Sequence, residues 1–151
     1  MRHGEAHSVD VDPQQALTEN GKAGVSKMAK YLSDCKIHIA QIMHSPKNRA
    51  KQTAEIFATE LQSDCSEVES ILSPEADVGT MLDYIKNLSS DTMLVTHLPF
   101  IAKLLSALVI NDENFYPLSN FVPCTAVCLE YYQDQRYIIN WLLRPSIINI
   151  S

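Results

Sequence analysis

The sequence lacks the features that mark membrane-spanning, nucleic-acid-binding and repeat proteins. Its most apolar stretch, residues 98–110, is too short to span a bilayer, contains Lys103 and is typical of a buried helix. It has no block of basic residues and its formal net charge is −6, so neither nucleic acid nor a membrane surface is expected as a partner. No internal repeat or low-complexity segment is visible. We therefore expect a globular protein whose chemistry lies in a local site.

The four cysteines form no CxxC pair. We expect them to be free, mostly buried thiols of a reducing compartment rather than disulfides or zinc ligands. The N-terminus also lacks the apolar run of a signal peptide. A cytoplasmic location and a single domain over residues 1–151 are expected, because a chain of this length can bury one sizeable core but not two.

Segments with helical spacing alternate with apolar segments typical of strands. Four helices are predicted, at about 19–33, 46–62, 78–88 and 99–110. Thr18 is the predicted N-cap of the first helix and Asp77 that of the third. Strands are predicted at 37–43, 68–72 and 92–96, followed by a terminal hairpin over 125–132 and 136–143. This order predicts an α/β fold, a three-layer α/β/α domain with a mainly parallel central sheet and a C-terminal antiparallel hairpin.

The chain opens on Arg2-His3-Gly4, a combination of residue types suited to phosphate. A neutral histidine offers a ring nitrogen that can attack phosphorus. Arginine presents a fixed fork of donors that matches phosphate oxygens, and glycine allows a close backbone approach. The tripeptide alone is weak evidence, so its meaning depends on the rest of a phosphate pocket.

Two later stretches supply that pocket. Residues 45–49 and 96–99 each run from the end of a predicted strand into a helix N-terminus and carry Arg49 and His97. The carboxyl ends of parallel strands meet at one edge of a sheet, and helix N-termini add partial positive charge there. We therefore expect Arg2, Arg49 and His97 to converge on His3 around a phosphate dianion.

The motifs together resemble the histidine phosphatase superfamily, the phosphoglycerate mutase-like phosphatases with an RHG motif. Within that superfamily they are similar to the short bacterial phosphohistidine phosphatases. The matching stretches come in the family's order, and they are Arg2–Ala6, Leu17–Gly21, Ser45–Thr53, Asp77–Gly79 and Thr96–Pro99. The last third of the chain matches in length and pattern only. Several motifs in order are a strong signal where each alone is weak.

The resemblance implies that His3 is the nucleophile, which takes the phosphoryl group as a covalent phosphohistidine. It implies that Arg2, Arg49 and His97 bind the phosphoryl oxygens, that Gly4 lines the phosphate pocket, and that neither a metal ion nor another cofactor is needed. Water would then release inorganic phosphate. The implied partner is a phosphorylated, histidine-containing phosphotransfer protein of a signalling pathway.

Protonation of the leaving group has no obvious agent in the sequence. Glu5, Glu75 and Asp77 are candidate acids, and Asp77 is better explained as a helix cap. An imidazole leaves readily from phosphorus and can be protonated by solvent, whereas an alkoxide needs an acid. The lack of a clear acid therefore favours phosphohistidine over a phosphate ester.

In the family, the RHG motif follows an apolar central strand, and here only Met1 precedes it. We expect a mis-assigned start, and we expect Arg2 and His3 to be poorly anchored unless another segment or chain fills the slot in the sheet. Two alternative functions stay open. One is a phosphatase of a small phosphorylated metabolite, and the other is a non-catalytic domain that binds phosphate or a phosphoprotein.

Overall fold

Helices and strands alternate through the computed structural model, which describes residues 1–134 and 136–148. The α-helices are α1 Glu19–Asp34, α2 Asn48–Leu61, α3 Val78–Ile85 and α4 Phe100–Ile110, and a 3-10 turn covers Pro145–Ile147. The strands are β1 Gln41–His44, β2 Asp64–Glu67, β3 Thr92–Val95, β4 Ala126–Gln133 and β5 Arg136–Leu143. In this part of the chain, no helix combines the length and the apolar character that crossing a bilayer requires.

The strands form two sheets. A parallel sheet has the order β2-β1-β3, with Gln41 opposite both Asp64 and Thr92. The second sheet is the antiparallel hairpin of β4 and β5. The predicted α/β fold, with a mainly parallel sheet and a C-terminal hairpin, is therefore confirmed. Because β1 and β3 run in the same direction and are neighbours, the residues that follow them lie side by side.

The first three residues lie between the two sheets and are hydrogen-bonded to both. The His3 N–H donates to the Thr96 carbonyl at 3.1 Å, and Arg2 forms an isolated parallel bridge with Thr96. On the other side, the Arg2 N–H donates to the Thr125 carbonyl at 3.0 Å, and the Cys124 N–H donates to the His3 carbonyl at 2.9 Å. The prediction that Arg2 and His3 would be poorly anchored is wrong, because both edges of this segment are paired.

Helical spacing of apolar residues predicts the core correctly. The buried face of α1 carries Val25, Met28, Ala29 and Leu32, and that of α2 carries Ala50, Ala54 and Phe57. The predicted caps are also present, since the Thr18 hydroxyl accepts the Gly21 N–H and the Asp77 carboxylate accepts the Thr80 N–H. Most of α4 is buried, as its largely apolar sequence predicts.

Two expectations about the strands and cysteines are wrong. The strand predicted at 68–72 lies instead at Asp64–Glu67, where all four side chains are exposed. This strand is defined by backbone pairing at the sheet edge, so no pattern of apolar residues marks it. The cysteines are free but not mostly buried, because Cys35 and Cys65 are exposed and only Cys124 is fully buried.

Two glycines of α1 provide a matched test of the packing beneath the RHG loop. A Cβ on Gly21 would lie 2.0 Å from the Glu5 carbonyl oxygen, whereas a Cβ on Gly24 would lie 3.7 Å from the nearest atom, in Pro145. We expect Gly21→Ala to lower the free energy of unfolding by about 2 kcal/mol or more. Gly24→Ala should leave it unchanged or raise it by up to about 1 kcal/mol. Urea unfolding followed by circular dichroism measures both, and equal effects would contradict this packing.

Candidate active site

The ring of His3 is held by a hydrogen bond on each nitrogen. Its Nδ1 lies 2.7 Å from the Gly4 carbonyl oxygen, which can only accept, so Nδ1 carries the hydrogen. The Arg49 Nε–H donates to His3 Nε2 at 3.1 Å, so Nε2 carries the lone pair. Burial lowers the pKa of His3 to about 4, with smaller contributions from the charges of Arg49 and Arg2, although the hydrogen bond to the Gly4 carbonyl acts to raise it. His3 is therefore neutral near pH 7, with a nucleophilic Nε2 in a defined place.

Arg49 lies in the first turn of α2, and a three-residue connection joins the end of β1 to this helix. Its Nη1 donates to the Gln15 side-chain oxygen at 2.9 Å, while its Nε contacts His3. Burial and the nearby charge of Arg2 lower the pKa of Arg49, but a guanidinium stays protonated at any ordinary pH. Gln15 lies in the polar loop after the RHG motif with φ of 49°, and the sequence carries no signal that it reaches Arg49.

Arg2 is tied to the segment that leads into the hairpin. One of its terminal nitrogens donates to the Phe121 carbonyl. Its Nε is buried and has no hydrogen-bond partner in the described part of the chain. Arg2 is joined to His3 through the backbone, and its charge contributes to lowering the pKa values of His3, Arg49 and His97. The site therefore holds two guanidinium groups, both beside a neutral His3.

His97 stands next to His3, with the two ring centroids 5.0 Å apart. It lies two residues after the end of β3 and is only 1% exposed, and its Nε2 lies 2.8 Å from the Ser45 hydroxyl oxygen. Burial first, and then the charges of its neighbours, lower the pKa of His97 to about 3. The structure thus brings together all four predicted residues, Arg2, His3, Arg49 and His97.

Thr53 and Ser45 belong to this arrangement. The Thr53 hydroxyl accepts the Gly4 N–H at 3.0 Å and donates to the Arg49 carbonyl at 2.7 Å, so it joins the RHG loop to α2. The Ser45 hydroxyl accepts the Lys47 N–H at 3.3 Å, but Lys47 itself is the N-cap of α2 and no side chain caps that helix. The sequence alone does not indicate the contact between Ser45 and His97, although Ser45 follows β1, His97 lies two residues after β3, and the two strands are parallel neighbours.

The glycine of the motif is needed for space. A Cβ on Gly4 would lie 2.6 Å from a methyl carbon of Val25, in the buried face of α1. Gly4 is itself buried, so α1 packs directly against the backbone that holds His3. The structure thus gives Gly4 a packing role against α1, and its place in the phosphate pocket stays a prediction.

The three carboxylates that were candidate acids all lie on exposed side chains. Glu5 accepts the Thr18 hydroxyl hydrogen at 2.6 Å. Asp77 caps α3, and its hydrogen bonds from the Thr80 backbone and hydroxyl lower its pKa, which suits an ionised cap rather than a proton donor. Glu75 lies in the turn before α3. Within residues 1–134 and 136–148, none of the three is hydrogen-bonded to His3 or His97.

The positive charge of the site comes from side chains. In the described part of the chain, no group of three histidine, cysteine or acidic residues is placed to hold a metal ion. Two guanidinium groups, a neutral histidine and a second buried histidine are suited to hold a tetrahedral dianion such as a phosphoryl group.

Comparisons with known proteins identify a family and a relative that resemble this chain in sequence. The model of the histidine phosphatase superfamily (branch 1) matches residues 1–81. The phosphohistidine phosphatase SixA of Escherichia coli (strain K12) is 34% identical over 158 aligned positions, which cover 100% of this chain and 95% of that protein.

Solved structures extend the likeness to the backbone. A structure of the protein histidine phosphatase SixA complexed with tungstate has a TM-score of 0.84 at 26% identity, covering 97% of this chain and 95% of the other. The phosphoserine phosphatase of Entamoeba histolytica, in complex with 3-phosphoglyceric acid, has a TM-score of 0.70 at 16% identity, covering 93% of each chain. At that identity, the second structure shows a shared fold alone.

The lowered histidine pKa values predict a pH-dependent stability. His3 and His97 titrate at about 4 and about 3 in the folded protein and near 6.5 when unfolded, so the unfolded chain binds more protons between these values. The contribution of the two histidines to the free energy of unfolding should be largest above about pH 6.5 and should fall as the pH is lowered through 5. In urea titrations across this range, His3→Asn should reduce the fall and the exposed-site control His38→Asn should not. Identical pH dependence in all three proteins would show that His3 is not buried in its neutral form.

Proposed function

The chain belongs to the histidine phosphatase superfamily and is a phosphatase, and we propose that it hydrolyses phosphohistidine in a phosphotransfer signalling protein. The reaction would pass through a covalent intermediate on His3 and would need no metal ion. The observation that carries the proposal is the neutral His3, whose lone pair on Nε2 faces the guanidinium of Arg49. The 34% identity with a phosphohistidine phosphatase along the whole chain supports the substrate class.

In the first step, His3 Nε2 attacks phosphorus as the bond from phosphorus to the substrate's imidazole nitrogen breaks. Arg2 and Arg49 donate to the phosphoryl oxygens and balance their charge, with His97 as a further donor. Attack makes the His3 ring more positive, and its Nδ1–H already donates to the Gly4 carbonyl oxygen, which stabilises that charge. The Arg49 Nε–H, which donates to His3 Nε2 in the free enzyme, must turn to a phosphoryl oxygen so that the lone pair on Nε2 is free to attack.

In the second step, a water molecule attacks phosphorus and the bond to His3 Nε2 breaks. The released product is inorganic phosphate, which takes the oxygen of the water molecule, and His3 returns to its neutral form. The proton that the water molecule loses goes to the phosphate or to solvent. The two guanidinium groups stay charged throughout, so they stabilise both steps.

The leaving group decides the substrate class. The imidazole of phosphohistidine departs from phosphorus readily and takes its proton from solvent, whereas a serine or sugar alkoxide needs a positioned acid. The carboxylates of Glu5 and Asp77 are engaged elsewhere, with Thr18 and with the start of α3. This arrangement supports a phosphohistidine substrate over an ester.

Removal of the nucleophile tests the mechanism. His3→Ala should lower kcat/KM for a phosphohistidine-containing phosphotransfer domain by about a thousandfold or more, because no other group can form the intermediate. His38→Ala, which changes an exposed histidine, is the matched control and should leave the rate unchanged. A chelator in the assay should change neither result.

The outcomes separate the three candidate functions. Activity that survives in His3→Ala would overturn the mechanism. Hydrolysis of an aryl or sugar phosphate much faster than that of phosphohistidine protein would instead favour the metabolite phosphatase. Tight binding of the phosphoprotein without turnover would favour the non-catalytic domain.

Conversion of the candidate acids to amides tests the leaving-group argument. Glu5→Gln, Glu75→Gln and Asp77→Asn should each retain phosphohistidine phosphatase activity within about threefold, because the leaving imidazole needs no enzyme acid. Steady-state rates at several pH values measure the effect. A hundredfold loss in any of the three, with the fold intact by circular dichroism, would identify that residue as the acid and contradict the argument.

A further inference from the structure

Ser45 is buried beside the second histidine of the site. Its side chain has no exposed surface, and its hydroxyl oxygen lies 2.8 Å from His97 Nε2. The backbone of Ser45 is fixed as well, since its N–H donates to the Val95 carbonyl at 3.2 Å and its carbonyl accepts from His44 Nδ1 at 2.9 Å. Ser45 is therefore a rigid neighbour of His97 on the adjacent strand end.

We propose that Ser45 is a positioning residue that holds neutral His97 in the tautomer with its hydrogen on Nδ1, so that Nδ1 donates to a phosphoryl oxygen. The proposal rests on the phosphatase function above and adds a residue to its machinery. Ser45 itself need not touch the substrate.

The hydrogen-bonding capacity of the Ser45 hydroxyl favours this tautomer. A hydroxyl has one hydrogen to donate and two lone pairs. Its oxygen already accepts the Lys47 N–H at 3.3 Å, which leaves its own hydrogen free to donate to His97 Nε2. The two polar groups then satisfy one another, and the ring hydrogen of His97 must lie on Nδ1.

The opposite tautomer leaves more groups unpaired. If His97 Nε2 donated to Ser45, the buried hydroxyl hydrogen would have no acceptor among the described residues, and Nδ1 would present an unpaired lone pair. Phosphoryl oxygens offer only lone pairs, so a lone pair on Nδ1 would repel them. In the proposed tautomer, one group alone lacks a partner, the buried Nδ1–H, and a phosphoryl oxygen is the acceptor that would complete it.

The tautomer matters because His97 is neutral. Burial and the surrounding positive charges lower its pKa to about 3, so the ring carries one hydrogen rather than two at neutral pH. A neutral imidazole donates from one nitrogen only, and a neighbouring hydroxyl decides which one.

Imidazole nitrogen NMR of the 151-residue chain, labelled with ¹⁵N on histidine, reports the tautomer directly. We expect His97 in the wild-type protein to carry its hydrogen on Nδ1. In Ser45→Ala, the hydrogen should move to Nε2 or be shared between the two nitrogens, while the His3 signals stay in place. Ser45→Thr retains the hydroxyl and should retain the wild-type tautomer. A wild-type His97 with its hydrogen on Nε2, or an unchanged tautomer in Ser45→Ala, would overturn the proposal.

Kinetics on phosphohistidine protein provide the second readout. Ser45→Ala should lower kcat by about tenfold to a hundredfold with little change in KM, because the lost donor acts most strongly in the transition state. In a His97→Asn background, Ser45→Ala should have no further effect, because its action passes through that ring. A full, additive loss in the double variant would overturn the positioning role. The NMR result is independent of turnover, so failure on phosphohistidine would refute the proposed substrate without affecting the tautomer.

Discussion

The paired backbone of the first three residues determines where the chemistry of this protein is placed. Hydrogen bonds from His3 to Thr96 on one side, and from Cys124 to His3 on the other, hold the ring between the parallel sheet and the hairpin. Arg49 and His97 follow the neighbouring strands β1 and β3, so their side chains reach the same ring. Without that pairing, the guanidinium groups and the two histidines would have no common centre.

Much of the fold and the central site follow from sequence reasoning. Helical spacing identifies the buried faces of α1 and α2, and the caps Thr18 and Asp77 mark two helix starts. Arg49 and His97 could be assigned to one site because parallel strands end at one sheet edge, a rule that needs no coordinates. These predictions of helix faces, helix caps and strand ends succeed because each rests on a local sequence pattern that has a single structural explanation.

The remainder depends on contacts that leave no pattern in the sequence. β2 is an exposed edge strand held by backbone pairing, so its polar residues give no strand signal. Gln15 reaches Arg49 from a distant loop, and no spacing rule connects the two residues. Thr53 lies one helical turn after Arg49 in α2, a spacing that explains its bond to the Arg49 carbonyl but not its bond to Gly4. The anchoring of His3 could not be predicted, because its partners Thr96 and Cys124 are distant in sequence. Both bind through backbone atoms, which every residue type has, so their side chains give no signal.

The central claim is that His3 Nε2 becomes covalently bonded to phosphorus, and trapping that bond tests it most directly. The wild-type chain would be mixed briefly with a phosphohistidine protein, quenched in alkaline denaturant, and examined by peptide mass spectrometry and ³¹P NMR. The structure predicts a phosphoryl group on His3, attached at Nε2, because Nδ1 is committed to the Gly4 carbonyl oxygen. Phosphate on another residue, attachment at Nδ1, or complete turnover with no phosphorylated enzyme at any mixing time would contradict the account.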